Sequence, residues 1–224
     1  MNTVAIILAI VVVLLFYILY KYFLLKSTEL SKTASLSATN PAIPITNNPA
    51  SLRYAYGIWV FVNSWNTGVT KTIFSRANNI KLYLDSTAPV LKCDITMNGG
   101  APAKTLEITD NFPLQKWAHV VVSVDNQYVD AYLDGKLIKS GRMIDGQNGP
   151  ATPTSKDMIM GGGTTFDAYV SKFQHWSEPI DPQTVWSEYM SGNGQGRVKN
   201  FISSYGVDLS IVKDNIEQSK FSIF

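Results

Sequence analysis

The sequence predicts an all-β protein: a two-sheet antiparallel jelly-roll sandwich, preceded by one N-terminal transmembrane helix and closed by a short C-terminal helix. Three observations carry that prediction. From Leu52 onward the chain breaks into short apolar runs separated by Gly, Pro, Asn and Asp, with turn signals about every 8–12 residues, as in a sandwich of short strands. Residues 112–141 (FPLQKWAHVVVSVDNQYVDAYLDGKLIKSG) hold three strand patterns in succession around an Asp-Gly turn. Val4 to Tyr20 carries no charge at all.

In chain order the first element is the anchor, residues 1–26. The apolar run continues past Lys21 to Leu25, and about 22 residues at ~1.5 Å each give ~33 Å, enough to cross a hydrocarbon core of about 30 Å. A cleaved signal peptide would need a basic start, a shorter apolar stretch and a small-residue cleavage site, and none stands here. Lys21, Lys26 and Lys32 follow the run and no basic side chain precedes it. The positive-inside rule therefore predicts a single-pass protein, bound to the lipid bilayer through residues 4–25, with its C-terminal domain on the cytoplasmic side. One cysteine, Cys93, and fifteen asparagines without an Asn-x-Ser/Thr sequon point the same way. Residues 27–51 are rich in Ser, Thr, Asn, Ala and Pro and read as a linker. As a flexible coil it would span about 28 Å and let the domain stand clear of the bilayer.

Residues 52–190 form the predicted sandwich. Leu52 to Val62 is apolar at both alternating sets of positions, which suits a central strand covered on both faces. Thr72–Arg76, Ile80–Asp85, Val90–Asn98 and Thr105–Thr109 supply further short strands. Trp117 to Val124 alternates, with Ala118, Val120, Val122 and Val124 on one face and Trp117, His119, Val121 and Ser123 on the other. Asp134-Gly135 then joins Tyr128–Leu133 to Lys136–Ser140, because this dipeptide accepts positive φ at both central positions of a tight hairpin turn. Gly141–Ser155 reads as a long loop. Gly161 to Gly163 lacks the Lys-Ser/Thr of a phosphate loop and reads as a tight strand exit. Asp181-Pro182 pairs an N-cap with proline at the first helical position and opens a helix over Gln183–Met190 that Gly192 ends.

Trp117-x-His119 before an apolar strand, followed by Tyr132-x-Asp134-Gly135-Lys136, resembles the central hairpin of laminin-G-like domains in the concanavalin A-like lectin/glucanase superfamily. Residues 157–163 (DMIMGGG), 166–176 (FDAYVSKFQHW) and 179–189 (PIDPQTVWSEY) are similar to the later strands and closing helix of that family. Trp117, His119, Asp134, Gly135, Phe166 and Trp176 are the structural residues that carry the likeness, and Ala168 stands where the family's Phe-x-Gly has its glycine. The resemblance implies a fold shared by lectins, glycosidases and plain adhesion modules, so function has to be argued from the site.

Catalysis is not expected. The glucanase members carry a Glu-x-Asp-x-x-Glu cluster, and a glycosidase needs two carboxylates about 5–10 Å apart; no such cluster occurs here. Two histidines and one cysteine argue against a closed zinc site, and His119 and Cys93 read as buried structural residues. No cofactor is predicted. Lectins of this fold often hold calcium, and Asn63, Asn66, Asn78, Asn79, Asp85, Asn126, Asp145 and Asn148 lie in or near loops, but no spacing selects among them. Setting aside Lys21, Lys26 and Lys32 against Glu29 leaves 16 basic and 16 acidic residues of the chain's 19 and 17, which argues against nucleic acid as a partner.

The extension, residues 191–224, places Val198, Phe201, Ile202 and Tyr205 on one face of a predicted short helix and ends in an apolar stretch with Phe221 and Phe224; these are the predicted partner-docking residues. Two functions follow. One is a non-catalytic structural protein that ties a membrane to other protein subunits of a larger assembly. By analogy, a minor capsid protein joined to the inner membrane of a large DNA virus virion has these parts. The other is a membrane-anchored, lectin-like module whose partner is a glycan.

Overall fold

The computed structural model describes residues 8–17, 27–162, 165–194, 208–213 and 216–222. Residues 8–17 are helical (α1), and each of them is exposed. Ten residues at ~1.5 Å make about 15 Å, half a hydrocarbon core. Among the described residues no helix is long and apolar enough to cross a membrane; residues 4–7 and 18–25 of the predicted span lie outside them.

Two six-stranded antiparallel sheets pack face to face. One runs in the order β1 (Ser27–Ser35), β12 (Ala168–Trp176), β3 (Arg53–Val62), β8 (Ala118–Asp125), β9 (Tyr128–Leu133) and β10 (Lys136–Arg142). The other runs β2 (Ile43–Pro44), β11 (Asp157–Met160), β4 (Lys71–Arg76), β5 (Ile80–Leu84), β6 (Leu91–Ile95) and β7 (Lys104–Thr109). The core lies between them, built from inward positions such as Tyr56, Ile58 and Val60 of β3, Val120 and Val122 of β8, and Leu82 and Cys93 of the second sheet. The β9–β10 turn has Asp134 and Gly135 at φ 48° and 79°, the positive pair that the Asp-Gly dipeptide predicts. One helix, α2 (Pro182–Met190), follows, with the Asp181 carboxylate accepting the Thr184 N–H at 2.9 Å. Beyond it, β13 (Asp208–Lys213) and β14 (Ile216–Ser222) pair with each other, Leu209 opposite Phe221. Val198, Phe201, Ile202, Tyr205 and Phe224 lie outside the described residues.

Residues 27–51 are not a linker. β1 pairs antiparallel with β12 along its length, from Ser27 opposite Trp176 to Ser35 opposite Tyr169. Leu36 and Ile45 are buried in the core, and a guanidinium N–H of the buried Arg76 donates to the Pro49 carbonyl. The composition that suggests a linker is that of an edge strand: one flank faces solvent, few positions need apolar side chains, and polar residues discourage pairing with other chains. The sheet therefore includes the chain from Ser27 onward. Leu36→Ala and Ile45→Ala should each lower unfolding stability by roughly 2–4 kcal/mol, as other buried truncations do. Urea melts of the two variants check this, because a change in a true linker would stay within about 0.5 kcal/mol.

Both histidines are buried. Burial, with Lys172 in second place, holds the His119 imidazole down at about 3, and burial with Arg76 holds His175 at about 4, against an ordinary 6.5. Below pH 6.5 the unfolded chain takes up protons that the folded chain refuses. Stability is thus full above about pH 6.5 and falls as pH is lowered toward those folded values, by about 1.4 kcal/mol per pH unit for each histidine. His175→Gln should remove close to half of that slope between pH 6.5 and 5, read from urea midpoints across that window.

Candidate functional site

The outer face of the first sheet carries two cavities, and part of that face is covered by α2. Val185 of α2 packs on Val121 and Tyr132, with Ile180 beside them. Trp59 stacks on His119 at 4.9 Å and on Tyr189 of α2 at 5.6 Å. Three polar ties hold the helix in place. Ser123 and Ile180 exchange hydrogen bonds through the Ser123 hydroxyl, Lys172 donates to the buried Glu188 at 2.9 Å, and the Ser171 hydroxyl donates to the Asn193 carbonyl at 2.5 Å. Gly135 lies against this cover. A Cβ there would meet Trp186 at 2.7 Å, and its φ of 79° disfavours any other residue.

What α2 leaves open is a groove at one end of the face. Register places Ser35 of β1, Tyr169 of β12 and Phe61 of β3 in one row, and Trp117, just before β8, stands 5.6 Å from the Phe61 ring. Together with Thr33, Ala34 and Val170 they line a cavity of about 580 Å³. Tyr169 is 47% exposed, whereas Phe61 and Trp117 are half-buried. A second cavity of about 350 Å³, bordered by Glu29, Lys32, Thr33, Ser171, Lys172, Asn193 and Gly194, shares Thr33 and runs along the same two strands. Flat ring faces next to the hydroxyls of Thr33 and Ser35 suit a ligand with an apolar side and a polar rim.

Of the described residues singled out from the sequence, only Trp117 lines this groove. His119 lies in the stack beneath α2. Asp134 is committed to the hairpin: its carboxylate accepts the His119 N–H at 2.9 Å and lies 3.6 Å from Lys116. Phe166 is in the core, its N–H donating to the Leu36 carbonyl at 3.0 Å. Trp176 is buried with its ring where a Cβ on Gly57 would stand, 2.9 Å away. Cys93 is buried, and burial pushes its thiol up, away from the nucleophilic thiolate. Phe61 and Tyr169, the other two rings of the groove, escape sequence reading because their meeting depends on the β3–β12 register.

The loop residues considered for calcium are dispersed. The Lys92 ammonium, donating at 2.6 Å, holds the Asp85 carboxyl well below the usual range. Asn79 donates to Tyr54 at 2.8 Å, Asn78 to Thr154 at 2.9 Å and Asn126 to Asp125 at 2.9 Å. In the 66–69 loop the cation is a lysine: the buried Lys71 ammonium donates to the Asn66 and Val69 carbonyls and lies 4.1 Å from the Trp65 ring centre. Among the described residues no group of three or more His, Cys, Asp or Glu could hold a metal ion.

The fold has solved neighbours. The botulinum neurotoxin serotype D binding domain matches with a TM-score of 0.56 and 14% identity, over 74% of this chain and 42% of its own. The receptor binding domain of the C/D mosaic serotype matches at 0.55 and 17%, over 67% and 40%. The binding domain of neurotoxin DC, in complex with rat synaptotagmin II, matches at 0.53 and 14%, over 67% and 39%. The chain thus spans less than half the length of these proteins, and the likeness is one of fold. No curated protein matches the sequence. A laminin G-type family model matches residues 33–186, more than half of the 224 residues, and the chain belongs to the concanavalin A-like lectin/glucanases superfamily.

Proposed function

We propose that this chain is a non-catalytic, membrane-held interaction protein. Its apolar segment, residues 4–25, sits in a bilayer, and its sandwich offers the aromatic groove to another protein subunit of a larger assembly on the cytoplasmic side. The observation that carries the binding role is the groove itself: three aromatic rings left open on a face that α2 otherwise covers. Among the described residues its lining holds no carboxylate, histidine or cysteine, which favours binding over proton transfer. The membrane role is supported by α1, which is apolar on every side and bare, with Val13 and Phe16 each 69% exposed. A helix of that kind is stable against lipid or protein, not in water. Lys26 after the segment, and Lys21 near its C-terminal end, favour the cytoplasmic side.

A glycan partner is the second reading, favoured by the hydroxyls of Thr33 and Ser35 beside the rings. The full chain on a glycan array separates the two. Silence supports the protein reading, whereas sugar retention that Trp117→Ala abolishes, with its melting point little changed, moves the groove to the lectin reading. For the membrane role, the full chain should float with phosphatidylcholine liposomes in a density gradient, and a Val12→Arg, Leu15→Arg double variant should stay at the bottom. Charges at the centre of a span are strongly disfavoured. A wild-type chain that stays at the bottom overturns the membrane role, and protease that digests the sandwich from outside sealed cells overturns the cytoplasmic side.

A further inference from the structure

We infer that the end of the sandwich carrying Ser27, Arg53, Tyr128 and Arg142 rests on the phospholipid headgroups, so that the aromatic groove is held at the opposite end, away from lipid. The inference rests on the membrane role proposed above and adds to it the orientation of the domain and a lipid-facing surface.

The apolar run ends at Leu25 and β1 begins at Ser27, leaving Lys26 alone between them. Two residue steps reach at most about 7 Å. Ser27 is therefore confined to within about 7 Å of the point where the run leaves the hydrocarbon. Nor is Ser27 the end of a loose strap. It pairs with Trp176, and β1 stays paired with β12 through Ser35. The junction thus joins lipid to a sheet edge.

The sheet register shows what else lies at that end. Trp176 faces Ala55 of β3, Arg53 faces Asp125 of β8, Asp125 faces Tyr128 of β9, and Tyr128 faces Arg142 of β10. The chemistry of this row suits a headgroup layer. Tyr128 is 57% exposed, and tyrosine is enriched at membrane interfaces because its ring has an apolar body and a polar tip. Arg53 bridges Asp125 at 3.0 Å and Glu178 at 3.4 Å, so the end carries both signs of charge. That balance makes the short junction, and not attraction to anionic lipid, the source of the contact. Ser35, at the other end of β1, lies eight steps away, about 26 Å at ~3.3 Å per residue. Tyr169, Phe61 and Trp117 share that level.

Cys93 is the one cysteine of the chain and is buried, so single surface cysteines can be labelled in the native background. The full chain is labelled with a fluorophore at Glu178→Cys or at Lys116→Cys and reconstituted in phosphatidylcholine vesicles containing headgroup-spin-labelled lipid. The label at 178 should be quenched several-fold more than the label at 116. Inserting ten Gly/Ser residues between Lys26 and Ser27 should abolish that difference without affecting flotation. Equal quenching at both sites, or none at either, in a chain that floats overturns the orientation and leaves the membrane role standing. An asymmetry that survives the insertion overturns the short junction as its cause. A chain that does not float overturns the membrane role itself.

Discussion

The pairing of β1 with β12 is the interaction on which the rest of the molecule depends. Without it, β12 would be an edge strand, the Thr33–Ser35 wall of the groove would be gone, and Leu36, which receives the Phe166 N–H and lends its own N–H to Ala168, would leave the core. The same strand positions α2. A bulge between Ser171 and Gln174 interrupts its register with β3, and Lys172 takes φ 48° there, an uncommon conformation for a residue with a side chain. That turn brings the Lys172 ammonium to Glu188, while the single Ser171 hydroxyl lies 2.5 Å from the Asn193 carbonyl after the helix and 3.1 Å from the Lys32 carbonyl in β1. One irregular strand thus holds the edge, the helix and the groove in a single arrangement.

The cover over the outer face is secured by ring stacking together with that ion pair and the Ser123–Ile180 and Ser171–Asn193 hydrogen bonds. Trp59 Nε1 and His119 Nδ1 are buried with no hydrogen-bond partner, which costs stability relative to satisfied groups. What offsets the cost is area and geometry: Trp59, His119 and Tyr189 lie nearly parallel, with interplanar angles of 16–27°. The Lys172–Glu188 pair is mostly shielded, with side-chain exposures of 21% and 8%. Breaking a shielded pair from one side leaves an uncompensated charge, so helix and bulge are coupled. The groove survives because α2 ends at Met190, short of Phe61 and Tyr169.

Much of the sandwich was legible locally. The alternation of Trp117–Val124, the Asp-Gly turn and the Asp181-Pro182 cap are short-range patterns, and the structure places a strand, a hairpin and a helix N-terminus at them. β1 was not legible, because STELSKTAS has a single large apolar residue, Leu30, and an edge strand bordered by solvent needs no more. The groove was not legible for a different reason. Phe61 and Tyr169 lie far apart in sequence and face each other only through the β3–β12 register, which a bulge resets a few residues later. Local pattern gives which face a side chain takes, but not which side chain it meets.

On the membrane reading proposed above, a short junction would change what the two ends of the domain can do. A domain on a flexible 25-residue coil would sample many orientations, and a partner would have to select among them at an entropic cost. A domain whose first strand starts two residues after an apolar segment has that freedom removed in advance. Gly194 borders the smaller cavity, which runs along β1 from Glu29 to Thr33. On that membrane reading the Ser27 end would be held at the anchor, and the aromatic groove would stand at the other end of β1.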